Sequence, residues 1–158
     1  MIADMKVEDI VGDYQEVSLQ LYGSITRKIL YTQIETSYPD GKLIVSTTDP
    51  AGIITHVNRS FVEMSGYRED ELLGAPHSIL RHPDMPPVAF KDLWDTVQRG
   101  EKWQGFVKNL RKDGGFYWVK ATVIPNVRAG KVVGFTSVRR KPSRTKVDEC
   151  SKLYPTLF

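Results

Sequence analysis

Two β-rich runs, Trp103–Arg111 and Phe116–Val127, are separated by Lys112-Asp113-Gly114-Gly115, and no other feature constrains the fold as much. An Asp-Gly step accepts the positive backbone dihedrals of a tight hairpin turn, so the two runs are expected to pair antiparallel. A third run, Val132–Arg139, follows Arg128-Ala129-Gly130-Lys131 and extends the meander. Upstream, Leu43–Thr48 and Ile53–Val57 flank Asp49-Pro50-Ala51-Gly52, which predicts a second hairpin. Short helical signals lie between the two strand groups. Asn58 is placed to cap a helix that Gly66 stops, and Arg68–Leu73 ends at Gly74. Pro76–Met85 reads as irregular chain with a helical turn around His77–Leu80. Pro87–Arg99 has proline in its first turn, glycine after its end, and an apolar face of Val88, Leu93, Trp94 and Val97. Strands, then helices, then a strand meander predict an α+β fold: a five-stranded antiparallel sheet with short helices on one face. Such a layer arrangement leaves room for an interior pocket.

The first forty residues read differently. Val7, Ile10, Tyr14, Val17 and Leu21 recur at spacings of three and four, which predicts an amphipathic N-terminal helix interrupted by Gly12 and Gly23. That stripe is expected to pack on the sheet or on a second protomer, making a homodimer through the N-terminal helix. Tyr38-Pro39-Asp40-Gly41 is a turn signal, so the chain divides into an extension over 1–40, a core domain over 41–140 and a C-terminal linker over 141–158.

Composition excludes several function classes. With 158 residues and 41% hydrophobic content the chain is expected to form one globular domain. A net charge of +3 is too small for a dedicated nucleic-acid binder. Arg139, Arg140, Lys141, Arg144 and Lys146 read as a solvated basic linker. The single Cys150 sits in a polar tail and suits a reducing, cytoplasmic setting. No apolar run approaches a membrane span and no signal-peptide pattern is present. Neither a nucleophile elbow, a Walker loop nor a dinucleotide fingerprint occurs, and the three histidines and one cysteine lack zinc spacing. A non-enzymatic chain is expected.

The motifs point to a family. Asn58-Arg59-Ser60-Phe61, Ser65-Gly66-Tyr67 and Glu71-Leu72-Leu73-Gly74 resemble a PAS sensory domain, as do Trp103-Gln104-Gly105, Asn109–Gly114 and Tyr117-Trp118. Pro76–Pro86, containing Arg81-His82-Pro83-Asp84-Met85-Pro86, is similar to the aerotaxis-receptor subfamily. The resemblance covers about Asp40 to Arg140. It implies non-covalent FAD binding and redox sensing for aerotaxis, with output to a chemoreceptor signalling segment in cis or in trans. It also implies site residues: Arg81, His82 and Asp84 in the FAD-associated segment, Trp94 beside the flavin, Asn109 at the flavin edge, and His77 near the ring.

Each residue also has a plainer reading. Asn109 offers a donor and an acceptor in one amide, yet it could equally satisfy backbone groups at a strand end. Trp94 fits a core position by its spacing with Val97. Trp103 and Trp118 read as structural or rim residues. Arg81 suits a pyrophosphate or a pairing with Asp84 inside the loop. His82 or His77 as a haem ligand defines one rival, a gas sensor; a cofactor-free dimerisation module is another.

Overall fold

The computed structural model describes residues 2–21 and 25–158. Its centre is a five-stranded, wholly antiparallel sheet. The strands are β3 (Ile44–Thr48), β4 (Ile54–Val57), β5 (Trp103–Leu110), β6 (Phe116–Arg128) and β7 (Lys131–Arg140), in the spatial order β4-β3-β7-β6-β5. The Asp113-Gly114 turn joins β5 to β6 as expected, and Gly114 takes a φ of +87° that side-chain-bearing residues rarely adopt.

Between β4 and β5 run α1 (Arg59–Ser65), α2 (Glu69–Leu72), a single-turn 3-10 helix at His77–Leu80, and α3 (Pro87–Gln98). Asn58 does more than cap α1. Its Oδ1 accepts from Phe61 N at 3.1 Å and from Val45 N at 3.0 Å, while Nδ2 donates to Leu43 O at 2.9 Å. One amide thus ties the helix start to β3, and Phe61 goes into the core fully buried. On α3 the apolar face is narrower than predicted: Val97 is buried and Leu93 and Trp94 half-buried, but Val88 is exposed.

The N-terminal helix is not there. Residues Gln15–Gln20 form β1, which pairs antiparallel with β2 (Thr26–Tyr31), preceded by a short 3-10 turn at Val7–Asp9. The three-and-four spacing masked an alternating pattern: Val17 and Leu19 face inward two apart and pack on Met5, Ile29, Leu30 and Leu110. Gly12, at φ +93°, breaks any helix before it begins, and Gly23 lies outside the described residues. Dimerisation through an N-terminal helix therefore has no helix to use, since the hairpin seats its apolar side on its own domain.

The C-terminal segment is also more than a linker. A fourth helix, α4 (Arg144–Leu153), capped by Ser143 Oγ, lays Val147 and Cys150 on Phe116 and Trp118. Cys150 is accordingly buried rather than exposed in a polar tail. Among the described residues, no helix is long and apolar enough to cross a membrane.

Candidate cofactor-binding site

The register decides which side chains meet. Trp103 pairs with Val123, Val123 with Ser137, and Ser137 with Ser46; one row on, Ala121 pairs with Arg139, and Asn109 faces Tyr117. Because alternate strand residues share a face, Trp103, Val107 and Asn109 line up with Ala121 and Val123 and with Phe135, Ser137 and Arg139. This inner face, α3 and the His77–Leu80 turn enclose a cavity of about 510 Å³. That volume lies within the range of small-molecule and cofactor sites, roughly 300–1,000 Å³.

Four of the six sequence-derived candidates line it: His77, Arg81, Trp94 and Asn109. His82 and Asp84 do not. His82 is fully buried behind the wall, its ring edge-on to Tyr31 and Phe116 at 5.6 and 6.0 Å. Its Nδ1 accepts from the Asp84 backbone N–H at 3.0 Å, which leaves the ring proton on Nε2. Burial first, and the nearby Lys108 cation second, push its pKa down to about 3 against the pull of Asp84. An imidazole so placed holds the loop rather than facing a ligand.

The expected Arg81–Asp84 pair is also replaced. Asp84 binds Lys108 Nζ at 2.8 Å, and Lys108 N donates to Met85 Sδ at 3.3 Å, so the loop clasps the outer edge of β5. Arg81 instead forms a backbone bridge to Asn109 and sets its guanidinium 4.8 Å over the Phe90 ring. Lys108 takes the carboxylate because it sits on the strand's outer side, directly beneath the loop, whereas Arg81 enters the cavity wall.

Arg139 is the residue that reading the sequence missed. Its sequence neighbours suggest a solvated basic run, yet it is only 2% exposed and lines the cavity. Its Nη2 donates to Ser46 Oγ at 2.9 Å and also contacts His77 Nε2, while its guanidinium lies 4.9 Å over the Phe61 ring. Among the described residues no carboxylate pairs with it. Desolvation lowers its pKa to about 10, and the guanidinium still stays charged at neutral pH. Since arginine only donates, His77 Nε2 must accept. Burial and then the Arg139 charge push His77 down to about 3, so it is a neutral acceptor at physiological pH. The alternation Phe135, Ser137, Arg139 along β7 was the signal that this cation turns inward.

Around an otherwise apolar slot, polar atoms stay unsatisfied. Asn109 Nδ2, Ser78 Oγ and Arg139 Nη1 are buried and find no hydrogen-bond partner among the described residues. Leaving a buried donor unmade costs about 1–3 kcal/mol, so a cluster of three marks a face built to meet a polar ligand edge. Apolar walls come from Leu80, Val97, Val123 and Phe135, with Trp94 edge-on to Phe135 at 5.5 Å. Gly52 admits the Trp94 ring, because a Cβ there would lie 3.2 Å from it. Trp103, expected as structural or rim, lines the cavity, lies across Gly105 and donates Nε1 to Asp92 at 2.8 Å. Trp118 points to the opposite face, against Tyr154. A largely apolar cavity lined by buried, unsatisfied donors suits a flat heteroaromatic ring carrying acceptors on its edge.

Comparison with known proteins agrees with the fold. A family model described as the PAS fold matches residues 54–139. The chain belongs to the PAS family. This PAS domain is 46% identical over 126 residues to the aerotaxis receptor of Escherichia coli (strain K12), covering 80% of this chain and 25% of that protein. It is 37% identical over 95 residues to a biofilm dispersion protein of Pseudomonas aeruginosa, covering 56% of this chain and 22% of that protein. It spans a quarter or less of the curated relatives it matches. Among solved structures, the light-state LOV domain of the blue-light photoreceptor aureochrome superposes with a TM-score of 0.61 at 25% identity, covering 72% of this PAS domain and 88% of the other chain.

Proposed function

We propose that this PAS domain binds a flavin, FAD, in the 510 Å³ cavity and reports its redox state to a signalling segment in an aerotaxis-type pathway. The observation that carries this reading is the set of unsatisfied donors, Asn109 Nδ2, Ser78 Oγ and Arg139 Nη1, on residues that line one largely apolar cavity. The likeness to a protein named as an aerotaxis receptor, and to a solved structure named for a flavin analogue, supports the choice of ligand and output.

A flavin held here would supply reversible electron uptake at a conjugated ring. The chain supplies everything else. Asn109 and Ser78 orient the ring edge, and Trp94 with Phe135 closes the slot against water. Arg139, buried without a carboxylate, favours whichever ligand state carries more negative charge. His77, neutral and bonded to Arg139, keeps the cation aimed inward. No thiol takes part: Cys150, the one cysteine in the sequence, sits on α4 and packs against the other side of the sheet. A redox-dependent pull on Arg139 and Asn109 would be felt in β7 and β5, the strands that lead to the C-terminal helix and to the clasping loop. Only a difference in interaction between the two ligand states can shift the output. Arg81 at the wall and the exposed Lys91 lining the same cavity are cations suited to the pyrophosphate of FAD rather than to a bare ring.

The test is a visible spectrum of the purified protein, followed by acid release and chromatography of the chromophore. A flavin spectrum that bleaches with dithionite and releases FAD is expected. A haem band, a release of FMN, or no uptake on reconstitution with FAD would overturn the reading.

A further inference from the structure

We propose that Arg27 is a positioning residue that latches the N-terminal hairpin across the cavity and thereby governs how long the ligand stays; the proposal rests on the flavin reading above. The β1–β2 hairpin lies outside the matched family region, residues 54–139, so the family assignment says nothing of its role.

Two observations place the hairpin at the site. Gln20 and Leu21, at the end of β1, contribute to the cavity lining. They share it with Lys91, whose side chain is 74% exposed and therefore marks where the cavity meets solvent. The hairpin is also anchored at two levels. Its apolar side, Val17 and Leu19 with Ile29 and Leu30, packs on Leu110, whose side chain lies on the face of β5 opposite the cavity, so the hairpin wraps the edge of that strand.

The second anchor is Arg27 itself. It is 3% exposed, and among the described residues it donates to neutral oxygens on three separate segments. Nε donates to Ala3 O at 2.9 Å, Nη1 to Ile79 O at 2.9 Å, and Nη2 to the Tyr67 hydroxyl at 3.1 Å. Ile79 belongs to the turn that carries His77 and Ser78 into the cavity. Burying a guanidinium against neutral acceptors alone is unfavourable compared with an apolar side chain of the same size. The planar fork compensates by donating in fixed, widely spread directions to three acceptors on separate segments, a reach that the compact ammonium of lysine does not match and that methionine, without a donor, lacks. The result is a cross-link from the N-terminal arm and the hairpin to the cavity wall. A hairpin tied to that wall cannot lift without disturbing the turn, so ligand escape requires breaking these bonds.

The experiment uses the full chain loaded with FAD and compares Arg27→Met, Arg27→Lys and, as a stability control remote from the cavity, Val147→Ala. Ligand release is followed by the rise in free-flavin fluorescence after dilution, and amide hydrogen exchange is read at 15–20 and 77–81. Arg27→Met is expected to speed release roughly tenfold or more, as for the loss of one or more charge-assisted hydrogen bonds, with the bound-flavin absorption bands unshifted. Exchange should quicken in both segments together, and Arg27→Lys should restore part of the retention. Val147→Ala should leave release unchanged despite a comparable loss in melting temperature. Wild-type release from Arg27→Met, or equal acceleration by Val147→Ala, overturns the latch. Should Arg27→Met not fold, Arg27→Lys carries the same readouts. If the wild-type chain takes up no flavin, the flavin reading falls on its own. Exchange at 77–81 then decides the latch, quickened exchange supporting it and unchanged exchange overturning it.

Discussion

The two faces of the central sheet are made from alternate residues of the same strands, yet they are finished in opposite ways. On the outer face Phe116 and Trp118 are covered by Val147, Cys150 and Tyr154, with Tyr154 donating to Phe106 O at 2.6 Å. Asp84 and Lys108 pair at its edge. On the inner face, one residue along, Tyr117, Asn109 and Arg139 are more deeply buried and still hold unpaired polar atoms. Burial pushes the Tyr117 phenol up to about 12 against the opposing influence of Arg139, Arg111 and the Asn109 amide. The outer face is built for stability, and on the proposed reading the inner face gives up stability for a ligand. That division can be tested one side at a time.

The largest effect belongs to the outer face. Trp118→Ala removes a nearly buried indole from under α4 and should destabilise the domain by about 3–5 kcal/mol. The flavin spectrum and midpoint potential should stay put, because Trp118 does not line the cavity. Chemical denaturation beside spectroelectrochemistry checks both halves; a shifted potential would mean that the faces are not separable.

Acid separates the faces by another route. His77 and His82 are both held near pKa 3 in the fold against 6.5 when free of it. The unfolded chain therefore binds protons that the folded chain refuses. Stability is fully present above 6.5 and falls as the pH drops from there toward 3, by up to about 1.4 kcal/mol per pH unit for each imidazole. His82→Asn, which offers an oxygen where Nδ1 accepts from Asp84 N, should flatten the acid limb of a melting-temperature profile between pH 6 and 4. An unchanged slope would locate the acid sensitivity elsewhere.

These contrasts explain what the chain discloses when read alone. The core fold was legible because its punctuation is local: Asp113-Gly114 makes the turn, Asn58 makes the cap, and Pro87 opens α3. The N-terminal hairpin was not, because Val7, Ile10, Tyr14, Val17 and Leu21 suit a helix by spacing, while the actual partners of β1 lie on β2 and on Leu110. Nothing local tells a stripe what it will pack on. At the cavity, Asn109, Trp94, Arg81 and His77 came from motif resemblance, and the structure gathers them on one cavity. Arg139 was hidden by its neighbours, since Arg140 and Lys141 beside it are exposed and only the two-residue period of β7 sets it apart. His82 and Asp84 hold the wall from behind, a role that depends on Lys108, 24 residues away from Asp84.

Arg139→Met sharpens the claim that the inner face is strained for its ligand. Replacing a buried cation that lacks a carboxylate by an apolar chain of similar length should stabilise the flavin-free domain by about 1–2 kcal/mol. Flavin affinity should fall and the potential should drop, because the charge favouring the reduced ligand is gone. Equal melting losses with and without flavin would make Arg139 an ordinary structural residue and would erase the difference between the faces.

The smallest effect is also the most specific. Asn109 sits opposite Tyr117, whose phenol feels its amide, but Nδ2 makes no hydrogen bond of good geometry, and the strand pairing and the backbone bridge to Arg81 hold its place. If the amide faces the flavin edge, it should bond more strongly to the reduced ring, where electron density has risen. A net hydrogen bond contributes about 0.5–1.5 kcal/mol, so the difference between the two redox states is taken as about 1 kcal/mol. For a two-electron couple, 1 kcal/mol corresponds to roughly 20 mV, so Asn109→Ala should lower the midpoint potential by that order. Asn109→Asp places a negative charge beside a ring gaining electrons and should lower it further. A titration that returns the wild-type potential in both variants would return Asn109 to the scaffold and leave Arg139 as the one polar residue of the inner face that senses charge.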